Sequence, residues 1–153
     1  MKLRAYINDD LAQIAKLFYD TVHTVNASDY SAAQLSAWAK DYNGLKTRQN
    51  DLLRQNTLIA EINGAIAGFG SMDETGCLDL LFVRKDYQRQ GIATALCNEL
   101  EKGFDTIKTF ASVTAKPFFE KRGYIVIREQ EVERANIKLK NFEMQKKNAA
   151  LLK

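Results

Sequence analysis

The chain has little cysteine, histidine or proline: two, one and one in 153 residues. Cys77 and Cys97 have neither the number nor the spacing of a disulfide framework or a zinc site, so both are expected to be small, reduced, mostly buried side chains, and no metal is expected. No apolar run approaches the roughly 20 residues of a membrane span. The N-terminal Met1-Lys2-Leu3-Arg4 leads into polar sequence rather than a signal-peptide core, and the expectation is a cytoplasmic protein with no membrane partner. Repeats and low-complexity segments are missing too. The Gly-Lys-Ser/Thr end of a P-loop is absent, and the turn at Gly91 lacks the three glycines of a dinucleotide fingerprint, which disfavours the two commonest nucleotide sites.

What is present suits one core. With 46% hydrophobic residues the chain is read as a single domain over residues 1–153. The net charge of +3 is uneven: residues 1–115 hold 12 basic and 14 acidic groups, residues 116–153 hold 10 and 5. Lys138, Lys140, Lys146, Lys147 and Lys153 supply much of the excess. Alternation around Ile137-x-Leu139 makes them the wet face of a strand, and without aromatic interleaving no nucleic-acid partner is expected.

Alternating Leu3, Ala5 and Ile7 predict a first strand, ended by Asn8-Asp9-Asp10, which offers helix N-caps. Leu11, Ile14, Ala15, Phe18 and Val22 form one apolar helical stripe, and a second helix is predicted from near Ser31 past Trp38. Residues 57–62 and 65–70 flank Asn63-Gly64, the strongest hairpin signal in the chain. A strand follows at 77–83, a helix from about Arg89 to Lys102, a strand at 106–113 and a short helix near Lys116, with Pro117 in its first turn. Strands near 124–131 and 137–144 complete the order.

Gln88-Arg89-Gln90-Gly91-Ile92-Ala93 stands between the strand at 77–83 and the helical pattern from Thr94. The first amides of a helix have no intrahelical partner and sit at the positive end of its dipole, so this turn is suited to a phosphate oxyanion. The spacing resembles the Gln/Arg-x-x-Gly-x-Gly/Ala motif of the GNAT superfamily of acetyl-CoA-dependent N-acyltransferases. Ser112-Val113-Thr114-Ala115-Lys116-Pro117-Phe118-Phe119-Glu120-Lys121-Arg122-Gly123-Tyr124 is similar to the C-terminal signature of that family, commonly Asn-x-x-Ala-x-x-Phe-Tyr-x-x-x-Gly-Phe. The element order matches over nearly the whole chain.

The resemblance implies an α/β (α+β) GNAT fold, a mixed central sheet of six to seven strands with about four helices, and acetyl-CoA as cofactor. It implies that the CoA pyrophosphate meets Gln88, Arg89, Gln90, Gly91, Ile92, Ala93 and Thr94. Pantetheine then pairs with backbone along Leu81, Phe82 and Val83, with Ser112, Ala115, Phe118 and Phe119 also on the cofactor. Two positions depart from the signature. Ser112 takes the usual Asn place, and both side chains hydrogen-bond there. Phe119 takes the place of a Tyr whose hydroxyl is proposed in many members to protonate the leaving thiolate, and Phe has no proton to give. Phe118 is expected to pack in the core, while Phe119 is expected to line the thioester channel, with Tyr30 or Tyr124 as substitute donors.

N-acetyl transfer needs a neutral amine and a route for protons. Strand alternation puts Cys77, Asp79, Leu81 and Val83 on one face and Leu78, Leu80 and Phe82 on the other unless a bulge intervenes. Asp79, an acid on an otherwise apolar strand, is the leading base; a carboxylate that some relatives carry on this strand aligns with Cys77 instead. His23 and Glu74 come next. In this fold the acceptor pocket is expected from the first two helices, which makes His23, Tyr30, Gln34 and Trp38 substrate-binding candidates. The expected activity is acetylation of a primary amine of a small molecule or protein by a monomer or homodimer. The alternative is a CoA-binding module without efficient turnover.

Overall fold

The computed structural model describes residues 1–148. Lys153 and the end of the expected domain lie outside the described residues. The chain begins with β1 (Lys2–Ala5), and Asp10 then fixes the entry to the first helix. Its carboxylate accepts the Ile7 amide at 2.9 Å and two Arg4 guanidinium N–H groups at 2.8 Å. α1 (Leu11–Thr24) follows with the expected stripe turned inward, and Ile14, Ala15, Phe18 and Val22 are buried. α2 (Ala32–Trp38) starts at Ser31 through a reciprocal cap. The Ser31 hydroxyl accepts the Gln34 amide at 3.1 Å, and Gln34 Oε1 accepts the Ser31 amide at 2.8 Å.

The second helix stops at Trp38. A 3-10 turn at Leu45–Arg48 and α3 (Gln49–Arg54) come next, pieces too short to show a helical period in sequence. β2 (Asn56–Ile62) and β3 (Ala65–Met72) form the expected hairpin. Asn63 and Gly64 both adopt positive φ, 52° and 80°, the primed turn that Asn-Gly favours. β4 (Cys77–Val83) leads through a 3-10 turn at Lys85–Tyr87 to α4 (Ile92–Leu100), so this helix begins three residues later than the expected start near Arg89. β5 (Thr106–Ser112), α5 (Lys116–Lys121), β6 (Ile125–Arg134) and β7 (Ile137–Lys147) close the order.

The seven strands form one mixed sheet in the order β1-β2-β3-β4-β5-β7-β6. One core, with α1, α2 and Leu52 of α3, covers the face bearing Ile59, Phe69, Leu80 and Leu139. The other, with α4 and Phe119 of α5, covers Met72, Leu78, Ile107 and Met144. Leu78 and Leu80 therefore lie on opposite faces, against the simple alternation. The cause is a bulge: Ser71 pairs Leu80 and Met72 pairs Leu78, leaving Asp79 as the extra residue. Lys138 and Lys140 are exposed as expected, but Lys146 is drawn inward to Glu101, its Nζ donating to Oε1 at 2.8 Å.

Candidate active site

β4 and β5 run parallel but pair only at Cys77–Lys108 and Leu78–Thr109. There the Thr109 hydroxyl donates to the Leu78 carbonyl at 2.9 Å, a side chain standing where a ladder amide would serve. Beyond that point the strands part, and a cleft of about 700 Å³ opens between residues 79–83 of β4 and 109–112 of β5.

The edge of β4 facing this cleft has free backbone groups. The Arg84 amide donates to the Ala67 carbonyl at 2.8 Å, so with the observed register the bonded pairs to β3 recur at Phe82–Phe69 and Leu80–Ser71. The N–H and C=O groups of Leu81 and Val83 consequently point away from β3 and toward the gap. Gln88 Nε2 takes the Val83 carbonyl at 2.6 Å and ties the following turn to the strand. In that turn Arg89 and Gly91 both have positive φ, 62° and 79°, and no side chain caps α4. The first α4 bond is Ala95 N–H to the Gly91 carbonyl. Among the described residues, no backbone N–H from Arg89 through Thr94 meets an acceptor. Strand end and helix start thus offer a line of unpaired donors, the donor set an extended amide chain ending in a pyrophosphate requires. Gln88 and Ala93 line the cleft, whereas the Ile92 side chain is buried in the core, which leaves only its backbone for such contact.

Asp79, the bulge residue, lines the cleft and is ion-paired with Arg48 from the turn before α3. Arg48 also reaches Asp51 at 3.1 Å. On the β5 side the Ser112 hydroxyl accepts the Ala115 amide at 3.0 Å and the buried Asn26 amide group at 3.4 Å. Ala115 and Phe118 also line the cleft. Phe119 does so while only 3% exposed, its ring edge-on to Phe118 at 5.1 Å and to Tyr124 at 4.9 Å. It is cleft wall and core at once. Tyr30 and Trp38 also line the cleft, their rings 5.5 Å apart.

Several expected residues stand elsewhere or have their polar groups engaged. His23 Nε2 is 2.7 Å from the Ala39 carbonyl and its ring lies tilted against Tyr19 with centroids 4.2 Å apart, outside the cleft lining. Gln34 is consumed by its cap and by a bond from Nε2 to the Lys138 carbonyl. Tyr124 donates to Glu101 at 2.6 Å in the opposite core, and the Tyr30 hydroxyl is occupied by the Lys140 carbonyl and the Val113 amide, both at 2.8 Å. Burial raises both phenols, Tyr124 further through Glu101, so neither is an available donor. Glu74 is exposed on the turn before β4. Arg48, Asn26 and Asn141 are cleft residues that the sequence reading passed over. For Asn141 a signal existed: it shares strand parity with Ile137 and Leu139, a polar residue at an inward position.

Residues 26–146 match the family described as Acetyltransferase (GNAT) domain. The chain belongs to the GNAT acetyltransferase family. It is 35% identical over 148 residues to the uncharacterized N-acetyltransferase YafP of Escherichia coli (strain K12), covering 96% of each chain. A solved GCN5-related N-acetyltransferase from Rhodopseudomonas palustris superposes with a TM-score of 0.91 at 33% identity, covering 96% of this chain and 95% of that one. The PaiA N-acetyltransferase from Thermoplasma acidophilum, solved with coenzyme A, shares the fold at 18% identity and a TM-score of 0.77, covering 96% and 98%. The chain is thus a GNAT N-acetyltransferase, of a family whose acyl donor is acetyl-CoA. No helix among the described residues is long and apolar enough to cross a membrane, and no group of three or more potential metal ligands occurs among them.

Proposed function

We propose that the cleft between β4 and β5 binds acetyl-CoA and that the protein transfers its acetyl group directly to a primary amine, small-molecule or protein, in the cytoplasm. The free backbone edge of β4, running into the uncapped start of α4, carries this reading. Leu81 and Val83 would hold pantetheine through backbone bonds, and the amides from Arg89 to Thr94 would hold the pyrophosphate. Acetyl-CoA supplies the activated acyl group.

The chain's own part is to place and deprotonate the amine. Asp79 is the carboxylate in the cleft and is assigned the proton leaving the ammonium. Cys77, the cysteine on the cleft, has its thiol pushed up to about 11 by burial and then by the nearby Asp73 and Asp79 charges. It stays protonated and is a poor nucleophile, which favours direct transfer over an acyl-cysteine route. Phe119 contributes shape and no proton.

That absence also supports a second reading, a CoA-binding module with little turnover. Titration calorimetry with acetyl-CoA, followed by thiol release over an amine panel, separates the two. Binding with turnover establishes the transferase; binding without turnover on any amine establishes the module.

A further inference from the structure

β5 leaves its partner at Ser112–Asn141, yet β7 runs on to Ile137. The carbonyls of Lys140 and Lys138, which would face a continuing β5, are taken instead by the Tyr30 hydroxyl at 2.8 Å and Gln34 Nε2 at 3.0 Å. Thr114 Oγ1 bonds Asp29 at 2.7 Å on the same side. The loop before α2, and α2 itself, are thereby stitched along the strand edge. An extended polypeptide recognises such an edge through its unpaired carbonyls and amides, and here those carbonyls are spent.

Within this closed end one polar group is out of place. Asn141 lines the cleft, and its Oδ1 is buried with no hydrogen-bond partner among the described residues. Its neighbours across the sheet are Ser112 and Gln130, both also on the cleft. The row continues the face of Leu139 and Val132, where an apolar residue would pack without cost. An unsatisfied buried carbonyl is destabilising and calls for an explanation. No hydrogen bond within the described chain holds this amide in one orientation, and the torsion that swings its oxygen is a soft one.

We infer that the acceptor is a small primary amine rather than a polypeptide segment, and that the Asn141 side-chain amide receives it, its carbonyl accepting an N–H of the incoming nitrogen. This rests on the acetyl-transfer reading. Asn141 is then a positioning residue for the acceptor, retained against its cost to folding.

The test measures acetyl-CoA-dependent thiol release with phenethylamine, putrescine, alanine and glutamate, against decapeptides carrying a free N-terminus or an internal lysine. Turnover is expected with a small amine and not with the peptides. With that amine, Asn141→Leu raises KM about tenfold while kcat changes little, leaves acetyl-CoA affinity alone and does not lower the melting temperature. Asn141→Asp, which keeps the acceptor oxygens and loses the donor, retains KM within a few-fold, and it carries the test if the leucine variant fails to fold. Peptide turnover, an unchanged KM in Asn141→Leu, or a tenfold KM rise in Asn141→Asp overturns the inference while leaving the transferase standing. Acetyl-CoA binding with no turnover on either class overturns both.

Discussion

The Arg48 guanidinium closes on the Asp79 carboxylate, Nη2 bonded to Oδ2 and Nη1 3.5 Å from Oδ1, across the bulge that aims Asp79 into the cleft. Asp79, an acid on an otherwise apolar strand, therefore faces a cation that the sequence reading did not name. The pair is only part-buried, and such pairs contribute little to folding. Asp79→Asn should lower kcat by about 100-fold or more, with a change in urea midpoint worth less than about 1 kcal/mol. Full activity across pH in a folded Asp79→Asn protein would place the base elsewhere and leave Asp79 as the anchor of Arg48.

Gly91 supplies the left-handed residue that turns the chain into α4, and a Cβ built on it meets nothing within 4 Å. Gly103, beyond the other end of α4, has φ +88° and the same open surroundings. Valine at either position should cost a comparable backbone strain, about 1–2 kcal/mol. Only Gly91→Val should also abolish acetyl-CoA binding, because only there does the proposed pyrophosphate site need the space. Equal calorimetric affinity in the two variants would remove the pyrophosphate from this turn.

The contrast between these two sites shows what was legible in sequence. Gly91 and the free amides around it follow from local chain chemistry, a strand, a turn and a helix start within a few residues, so the spacing carried them. The Asn63-Gly64 hairpin was readable for the same reason. Arg48 was not: it sits in a turn of a few residues and meets Asp79 only through tertiary folding. The bulge at Asp79 was equally hidden, since its register is fixed by β3 and not by β4 itself. Gln34 fitted a helical face and His23 stood near a helix end, but carbonyls brought in by tertiary folding, Lys138 and Ala39, claimed them. A polar residue on a helix face satisfies whichever backbone group is nearest, and periodicity cannot say which.

Glu101, at the end of α4, is 3% exposed and accepts bonds from Arg122, Lys146 and Tyr124. Burial alone would raise its carboxyl, but these bonds outweigh it and hold the group below the ordinary glutamate value of about 4.3. Because the folded value lies below the unfolded one, this stabilisation is complete above the unfolded value and is lost as pH falls through the folded one. Urea midpoints should therefore drop on acidification below about pH 4.3. Glu101→Gln should cost about 3–5 kcal/mol at neutral pH, since Arg122 and Lys146 would be left facing a neutral amide, and should flatten the acid dependence. A midpoint equal to wild type at neutral pH would show the cluster to be energetically idle.

Phe119→Tyr tests the position where this chain departs from the family signature. The ring borders the cleft yet packs on Phe118 and Tyr124, so the fate of one added oxygen reports which side its far edge faces. If that edge meets the cleft, the hydroxyl stays hydrated, stability changes by less than about 1 kcal/mol, and acetyl-CoA affinity is unaltered. Turnover should then rise several-fold, because a proton donor is restored beside the departing thiolate while Tyr30 and Tyr124 remain engaged elsewhere. Unaltered turnover with unaltered stability would mean that thiolate departure is not rate-limiting. A loss of more than about 2 kcal/mol without a rate gain would show the hydroxyl stranded in the dry core, and would move Phe119 out of the thioester channel.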